Sequence, residues 1–253
     1  MPYKRRLGPG GAPGTNRFAR SWPKASEGGH IPAEENVRWV CLDVGETLID
    51  ETRVWSTWAD VLGVTQFTFM AALGAVIAKG EDHRKVFEIL GRPDWHDLRP
   101  EFAARYGGFR LNDLYPDALP ALGALRDAGY RIAILANQPI DRTAELKALG
   151  VDVDLLAMSD ELGVHKPSPE FYARALELMA AEPWDIAYVG DRLDNDVLPS
   201  LAAGMHPVWL KRGPWGVIVD DAPPVGTLVV WSLTELVERI AEVWTVPVAT
   251  VAT

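Results

Sequence analysis

Asp43 closes an apolar run over residues 37–42, interrupted by one Arg, and Gly45 follows two residues later. A carboxylate at the carboxyl end of a buried parallel strand stands where open α/β sheets hold their ligands. The glycine lets the chain turn there and lets a ligand approach the backbone. Taken alone, Asp43 also reads as a residue that caps the next turn. Three later stretches add complementary groups: Asn137 after an apolar run, Lys166 before Pro167, and Asp191, Asp194 and Asp196 after another apolar run. If each stretch ends a parallel strand, all face one crevice. Carboxylates from two loops and one ammonium then make a site for Mg²⁺, which takes hard oxygens, few carboxylates and several waters, together with a phosphoryl group. Asp43 can act as ligand and as nucleophile, because aspartyl carboxylates form covalent phosphoenzymes. Lys166 can neutralise the charge that gathers around them.

Such a crevice needs strands alternating with helices, and from Tyr115 onward the chain has that rhythm. Strands are predicted over 131–136, 153–158, 186–189, 207–210 and 228–230. Helices are predicted over 116–128, stopped by Gly129, over 142–149, closed by Gly150, and over 194–203. Ser168-Pro169 opens another, with Ser as N-cap and Pro as the first helical residue. Ser232 and Glu235 make a capping box for a last helix ending near Val243. Repeated βαβ units imply an α/β fold, a Rossmann-like doubly wound parallel sheet.

Residues 53–112 lack strand signals. Helical segments are predicted over 54–62, 66–78, 84–90 and 98–105, punctuated by Gly80, Gly91 and Gly107-Gly108. In the second, Phe67, Met70, Ala71, Leu73, Gly74 and Ile77 form one apolar or small face at helical spacing. Trp55, Trp58, Phe69 and Trp95 either line a substrate cleft or, as the simpler reading, pack the core of this insert.

The four stretches together resemble the motifs of the haloacid dehalogenase (HAD) superfamily. They are Asp43-Val44-Gly45-Glu46-Thr47, Ile134-Leu135-Ala136-Asn137, His165-Lys166-Pro167 and Gly190-Asp191-Arg192-Leu193-Asp194-Asn195-Asp196, in that family's order and spacing. The resemblance covers about residues 37–240. It implies a HAD core over 37–52 and 113–245 with a helical cap over 53–112. It further implies that Asp43 is the nucleophile and a metal ligand, that Gly45 gives its carbonyl to Mg²⁺, and that Lys166 neutralises charge. Asp191 and Asp196 become acidic metal ligands, with Asp194 an alternative to Asp196. Two positions depart from the pattern. Family phosphatases usually carry an Asp two residues after the nucleophile as general acid and base, where this chain has Gly45. The second motif usually ends in Ser or Thr to hold the phosphoryl group. Here that residue is Ala136, leaving Asn137 or a backbone N–H to substitute beside Lys166. Glu46 is a nearby carboxylate whose position does not normally face the leaving group. The implied activity is Mg²⁺-dependent hydrolysis of a small phosphorylated metabolite through an aspartyl-phosphate. The alternatives are a binding module that has lost turnover, or cleavage of carbon–halogen or carbon–phosphorus bonds, the last using Lys79 or Lys85 as a Schiff base.

Composition bounds these readings. The chain has 253 residues, 48% hydrophobic and 24% charged, which suits a globular domain. Residues 1–36, rich in Gly, Pro and Arg, carry +3 and read as a disordered leader; the net charge of −10 leaves −13 on the remainder. An acidic body argues against nucleic acid as the main partner. The basic N-terminus has no hydrophobic run behind it, unlike a secretory signal, and no apolar run approaches the ~20 residues needed to span a membrane. The single cysteine, Cys41, excludes an intrachain disulfide and fits a cytoplasmic setting. The expected protein is a monomer or homodimer. Residues 246–253 read as a tail. Trp209, Trp215, Val217, Ile218 and Trp231 are either a partner-binding face or, more simply, core.

Overall fold

The computed structural model describes residues 37–245. The expected leader and tail lie outside the described residues. Six strands form one parallel sheet: β1 (Trp39–Leu42), β2 (Arg131–Ala136), β3 (Leu155–Met158), β4 (Ile186–Gly190), β5 (His206–Leu210) and β6 (Leu228–Val230). Their spatial order is β3-β2-β1-β4-β5-β6. The chain runs outward from β1 to β3, then returns to the other side of β1 with β4. That reversal opens a crevice at the carboxyl ends of β1 and β4, where doubly wound sheets bind ligands. Leu42 pairs with Ile134 on one side and Val189 on the other. The Asp43 N–H then donates to the Val189 carbonyl at 2.9 Å, which carries the ladder one residue past the strand and sets Asp43 at the crevice.

Alternation along β1 divides the core. Val40 and Leu42 join one apolar layer with Ile132, Ile134, Leu122, Leu125 and Leu236. Trp39 and Cys41 join the opposite layer with Leu135, Phe171, Tyr172 and Tyr188. Helices α5 (Ala118–Asp127) and α11 (Leu233–Arg239) cover the first face, and α8 (Pro169–Met179) covers the second. Each fully buried side chain such as Ile134 or Phe171 stabilises the fold by about 1.5–3 kcal/mol.

Four α-helices lie between β1 and α5: α1 (Thr52–Leu62), α2 (Gln66–Ile77), α3 (Lys85–Ile89) and α4 (Arg99–Tyr106). They enclose an aromatic core of Trp55, Trp58, Phe69 and Phe87, against which Trp215 from later in the chain also packs. Trp58 stacks on Phe102 at 4.4 Å and Phe87 on Trp95 at 4.5 Å. The four aromatics considered for a cleft wall are therefore mainly core. The predicted face of α2 is rotated. Phe69, Leu73, Val76 and Ile77 are buried, whereas Phe67 is 85% exposed and Ala71 is also outside. The helix is apolar on nearly every side, so spacing alone did not pick the buried stripe. Arg53 ties the two connections of this insert together. Its guanidinium donates to Asp113, to the Tyr106 carbonyl at 2.7 Å and to the Gly108 carbonyl at 2.5 Å.

The remaining departures are local. Residues 193–203 are not one α-helix but a π-helical turn over Leu193–Val197 followed by α9 (Leu198–Ala202). Three further short α-helices are α6 (Asp141–Ala148), near its predicted position, and the unpredicted α7 (Ser159–Leu162) and α10 (Gly213–Ile218). Trp209 and Trp215 are buried, while Val217 and Trp231 are exposed. Among the described residues no single helix is long and apolar enough to cross a membrane.

Candidate active site

The strand ends bring Asp43, Lys166, Asp191 and Asp196 into contact. Lys166 Nζ lies 2.8 Å from Asp43 Oδ1 and 2.6 Å from Asp196 Oδ1, with its side chain wholly enclosed. Burial alone would lower the Lys166 pKa, but Asp196 and Asp43 raise it above the ordinary lysine range. The ammonium is thus fixed in its charged form. Carboxylate oxygens of Asp43, Asp191 and Asp196 all lie within 4.8 Å of one another. Asp191 Oδ2 is buried without a hydrogen-bond partner. Burial, then Asp196 and Asp43, push the Asp191 carboxyl well above the usual carboxylate range.

Each position has a local cause. In the π-helical turn the Arg192 carbonyl accepts from the Val197 N–H at 3.2 Å as well as from the Asp196 N–H at 3.0 Å, while Asp196 Oδ2 accepts from the Arg192 N–H at 3.1 Å. The widened turn swings Asp196 inward, as π-turns at functional sites do. Gly190 makes room for it, because a Cβ there would stand 2.3 Å from Asp196 Cγ. Asp194, the alternative ligand, is exposed and pairs with Arg192 at 2.6 Å, so it does not join the cluster.

The second motif behaves differently from expectation. Ala136 is fully buried and does not line the cleft. The carbonyl group of the Asn137 side chain accepts from the Lys166 N–H, and its amide donates to the Lys166 carbonyl, both at 2.8 Å. Asn137 reaches the cleft but spends its side chain on holding the lysine loop. Glu46 is likewise committed. Its Oε1 accepts from the Glu51 N–H at 3.0 Å and its Oε2 accepts from the Tyr115 hydroxyl.

A cleft of about 1060 Å³ opens above Asp43, Gly45, Lys166 and Asp191. The helical insert supplies its opposite wall with Trp55, His83, Arg84 and Arg99, and α10 adds Trp215. His83 is held neutral, its pKa pushed down to about 4 by burial and then by Arg192. Residue type and spacing single out none of His83, Arg84, Arg99 or Glu51 for this cleft. Their helices were legible, but the direction in which each side chain points was not. Glu51 lines the floor beside Gly45, its carboxyl pushed up to about 8 by burial and then by Glu46 and Asp43. Lys79 and Lys85 are exposed and outside the cleft, and Lys85 pairs with Glu81 at 3.6 Å. The Schiff-base alternative thus loses both of its lysines, which point to solvent rather than to Asp43.

Three acidic side chains gather around one ammonium, and one of their oxygens is buried without a partner. A divalent cation with hard oxygen ligands fits that donor set.

Comparison with known proteins gives a consistent picture. A family model described as a haloacid dehalogenase-like hydrolase matches residues 37–204. A glyceraldehyde 3-phosphate phosphatase of Methanopyrus kandleri is 32% identical over 143 residues, 53% of this chain and 61% of the relative. A phosphoglycolate phosphatase of Nitrosospira multiformis is 30% identical over 195 residues, 70% of this chain and 83% of the relative. The matches to the M. kandleri enzyme and to a second glyceraldehyde 3-phosphate phosphatase, from Pyrococcus abyssi, span only 61% and 42% of those relatives' lengths. Among solved structures, the HAD-hydrolase YfnB of Bacillus subtilis bound to magnesium shares the fold. Its TM-score is 0.63 at 17% identity, covering 81% of this chain and 99% of that one. A HAD phosphatase of Thermococcus onnurineus gives 0.53 at 23% identity, covering 81% and 98%.

Proposed function

We propose that this chain, which belongs to the haloacid dehalogenase-like hydrolase family, is a Mg²⁺-dependent phosphatase acting on a small phosphorylated metabolite. The observation that carries the reading is the buried Asp43–Lys166–Asp196 contact with Asp191 left unpartnered beside it. Asp43, Asp191 and Asp196 would hold the cation, with the Gly45 carbonyl as a further oxygen. Mg²⁺, when bound, draws charge from the phosphoryl oxygens and lowers their repulsion of an incoming carboxylate.

The chain's own residues do the rest. Asp43 attacks phosphorus in line with the leaving oxygen, forming an aspartyl-phosphate. Lys166, fixed by Asn137 and paired to two carboxylates, compensates negative charge on the reacting group without needing to move. The helical insert acts as a cap. Its cleft wall of His83, Arg84 and Arg99 selects the part of the substrate beyond the phosphate. Glu81, Asp82, Arg84 and Arg99 on that wall, with Arg84 paired to Asp82, favour a substrate whose remaining part is polar. Relatives named as phosphatases of glyceraldehyde 3-phosphate and phosphoglycolate support the size class.

Covalent trapping tests the reading. Incubation with a labelled phosphomonoester and Mg²⁺, followed by acid quenching, should leave an acid-stable, base-labile phosphate on Asp43. Absence of label on Asp43, while substrate is still consumed, would contradict it.

A further inference from the structure

A phosphatase without a carboxylic acid two residues after its nucleophile lacks a proton donor for the leaving oxygen. Loss of such a group costs on the order of 10²–10⁴ in rate. The structure shows a carboxylate in that space, contributed from further along the chain. A Cβ built on Gly45 would lie 2.6 Å from Glu51 Oε1 and 3.0 Å from Glu51 Cδ. A side chain at position 45 and the present conformation of Glu51 therefore exclude each other. Glu51 precedes α1, yet its side chain makes no capping bond to that helix. Its N–H is held by Glu46 Oε1, which fixes the backbone so that the side chain turns back over Gly45. Glu46, the other nearby carboxylate, is occupied by that N–H and by the Tyr115 hydroxyl. Glu51, whose carboxyl lies beside the space that a residue-45 side chain would fill, makes no such contacts with its side-chain oxygens.

We propose that Glu51 replaces the missing side chain of position 45 as the group that gives a proton to the leaving oxygen and takes one from the attacking water. The proposal rests on the phosphatase reading and deepens it. In the first step an Asp43 oxygen bonds to phosphorus, the bond to the leaving oxygen breaks, and the Glu51 carboxyl proton passes to that oxygen. The products are an alcohol, the aspartyl-phosphate and a Glu51 carboxylate. In the second step a water oxygen bonds to phosphorus, its proton returns to Glu51, and the Asp43–phosphorus bond breaks to release phosphate. Gly45 is then a vacancy that Glu51 requires, rather than a defect.

The test compares two leaving groups in the full chain with Mg²⁺: p-nitrophenyl phosphate, which needs little protonation, and glycerol phosphate, which needs much. For Glu51→Gln, kcat/KM for glycerol phosphate should fall on the order of 10²–10⁴-fold, and that for p-nitrophenyl phosphate less than about tenfold. Hydrolysis of the aspartyl-phosphate now lacks its base, so the variant should release one equivalent of p-nitrophenol in a burst before slow turnover. Relocating the acid gives a second readout. Gly45→Asp combined with Glu51→Ala should recover most of the glycerol phosphate activity lost in Glu51→Ala, whereas Gly45→Asp alone should be impaired because Glu51 fills that space. Equal losses on both substrates with no burst, or no recovery in the double variant, would overturn the role of Glu51 and leave the phosphatase reading standing. Failure of the unmodified protein to cleave either substrate would overturn both.

Discussion

The side-chain amide of Asn137 closes two 2.8 Å hydrogen bonds on the backbone of Lys166, one to its N–H and one to its carbonyl. The residue that follows β2 thus positions the ammonium delivered by the loop between α7 and α8. The contact joins two of the strand ends that build the crevice, and it explains why an exposed Asn carries weight at a buried site.

Asn137→Ala removes both bonds. At about 0.5–1.5 kcal/mol each, the loss of stability should be about 1–3 kcal/mol. Lys166 also loses its fixed approach, so kcat should fall more than KM rises. Urea denaturation and steady-state kinetics on the same preparation check this.

Lys166→Met keeps the length of the side chain and deletes the charge between Asp43 and Asp196. Removing one partner of a buried ion pair typically costs about 3–5 kcal/mol. Thermal unfolding without divalent cation should show a lowered Tm, and Mg²⁺ should restore part of it by replacing the lost positive charge. A Tm equal to that of the unmodified protein without Mg²⁺ would contradict the pairing.

Gly190→Ala places a methyl group against Asp196, 2.3 Å from its Cγ in the present geometry. Asp196 or β4 must shift, at a cost of about 1–3 kcal/mol. Because Asp196 is one of three carboxylates grouped for a cation, Mg²⁺ binding measured by calorimetry should weaken more than overall stability does.

Asp113 gives a pH signature away from the cleft. Burial would raise its carboxyl pKa, but the Arg53 guanidinium and the Arg110 N–H hold it below the usual carboxylate range. A folded-state pKa below the unfolded value contributes stability that is present above the unfolded pKa of about 3.9 and lost as pH falls through the folded one. Asp113→Asn should therefore be less stable than the unmodified protein at neutral pH, by about 1.5–3 kcal/mol. The gap should close as pH drops below 4. Melting curves of both proteins across that range test the sign.

The parts of the site legible in the sequence are those set by strand ends. Asp43, Lys166, Asp191 and Asp196 each follow an apolar run or precede a helix start, so their meeting at one edge of the sheet follows from parallel strands alone. The sheet itself was legible for the same reason, since buried parallel strands read as short apolar runs. What depended on side-chain direction was not legible. Phe67 and Phe69 flank the same turn of α2, and only tertiary packing decides that Phe69 is buried. The π-turn that admits Asp196 depends on one extra residue in a helical turn, for which hydrophobic spacing carries no signal. Glu51 looks like an ordinary residue at a helix start, and its relation to Gly45 exists only once the chain has turned back on itself.

The most direct measurement is phosphate release from p-nitrophenyl phosphate and acetyl phosphate, with and without Mg²⁺, by the unmodified protein and by Asp43→Asn. The expected result is turnover that depends on Mg²⁺ and falls to background in the variant. Turnover that survives Asp43→Asn, or that proceeds equally without a divalent cation, would contradict nucleophilic attack by Asp43 at a metal-assisted site.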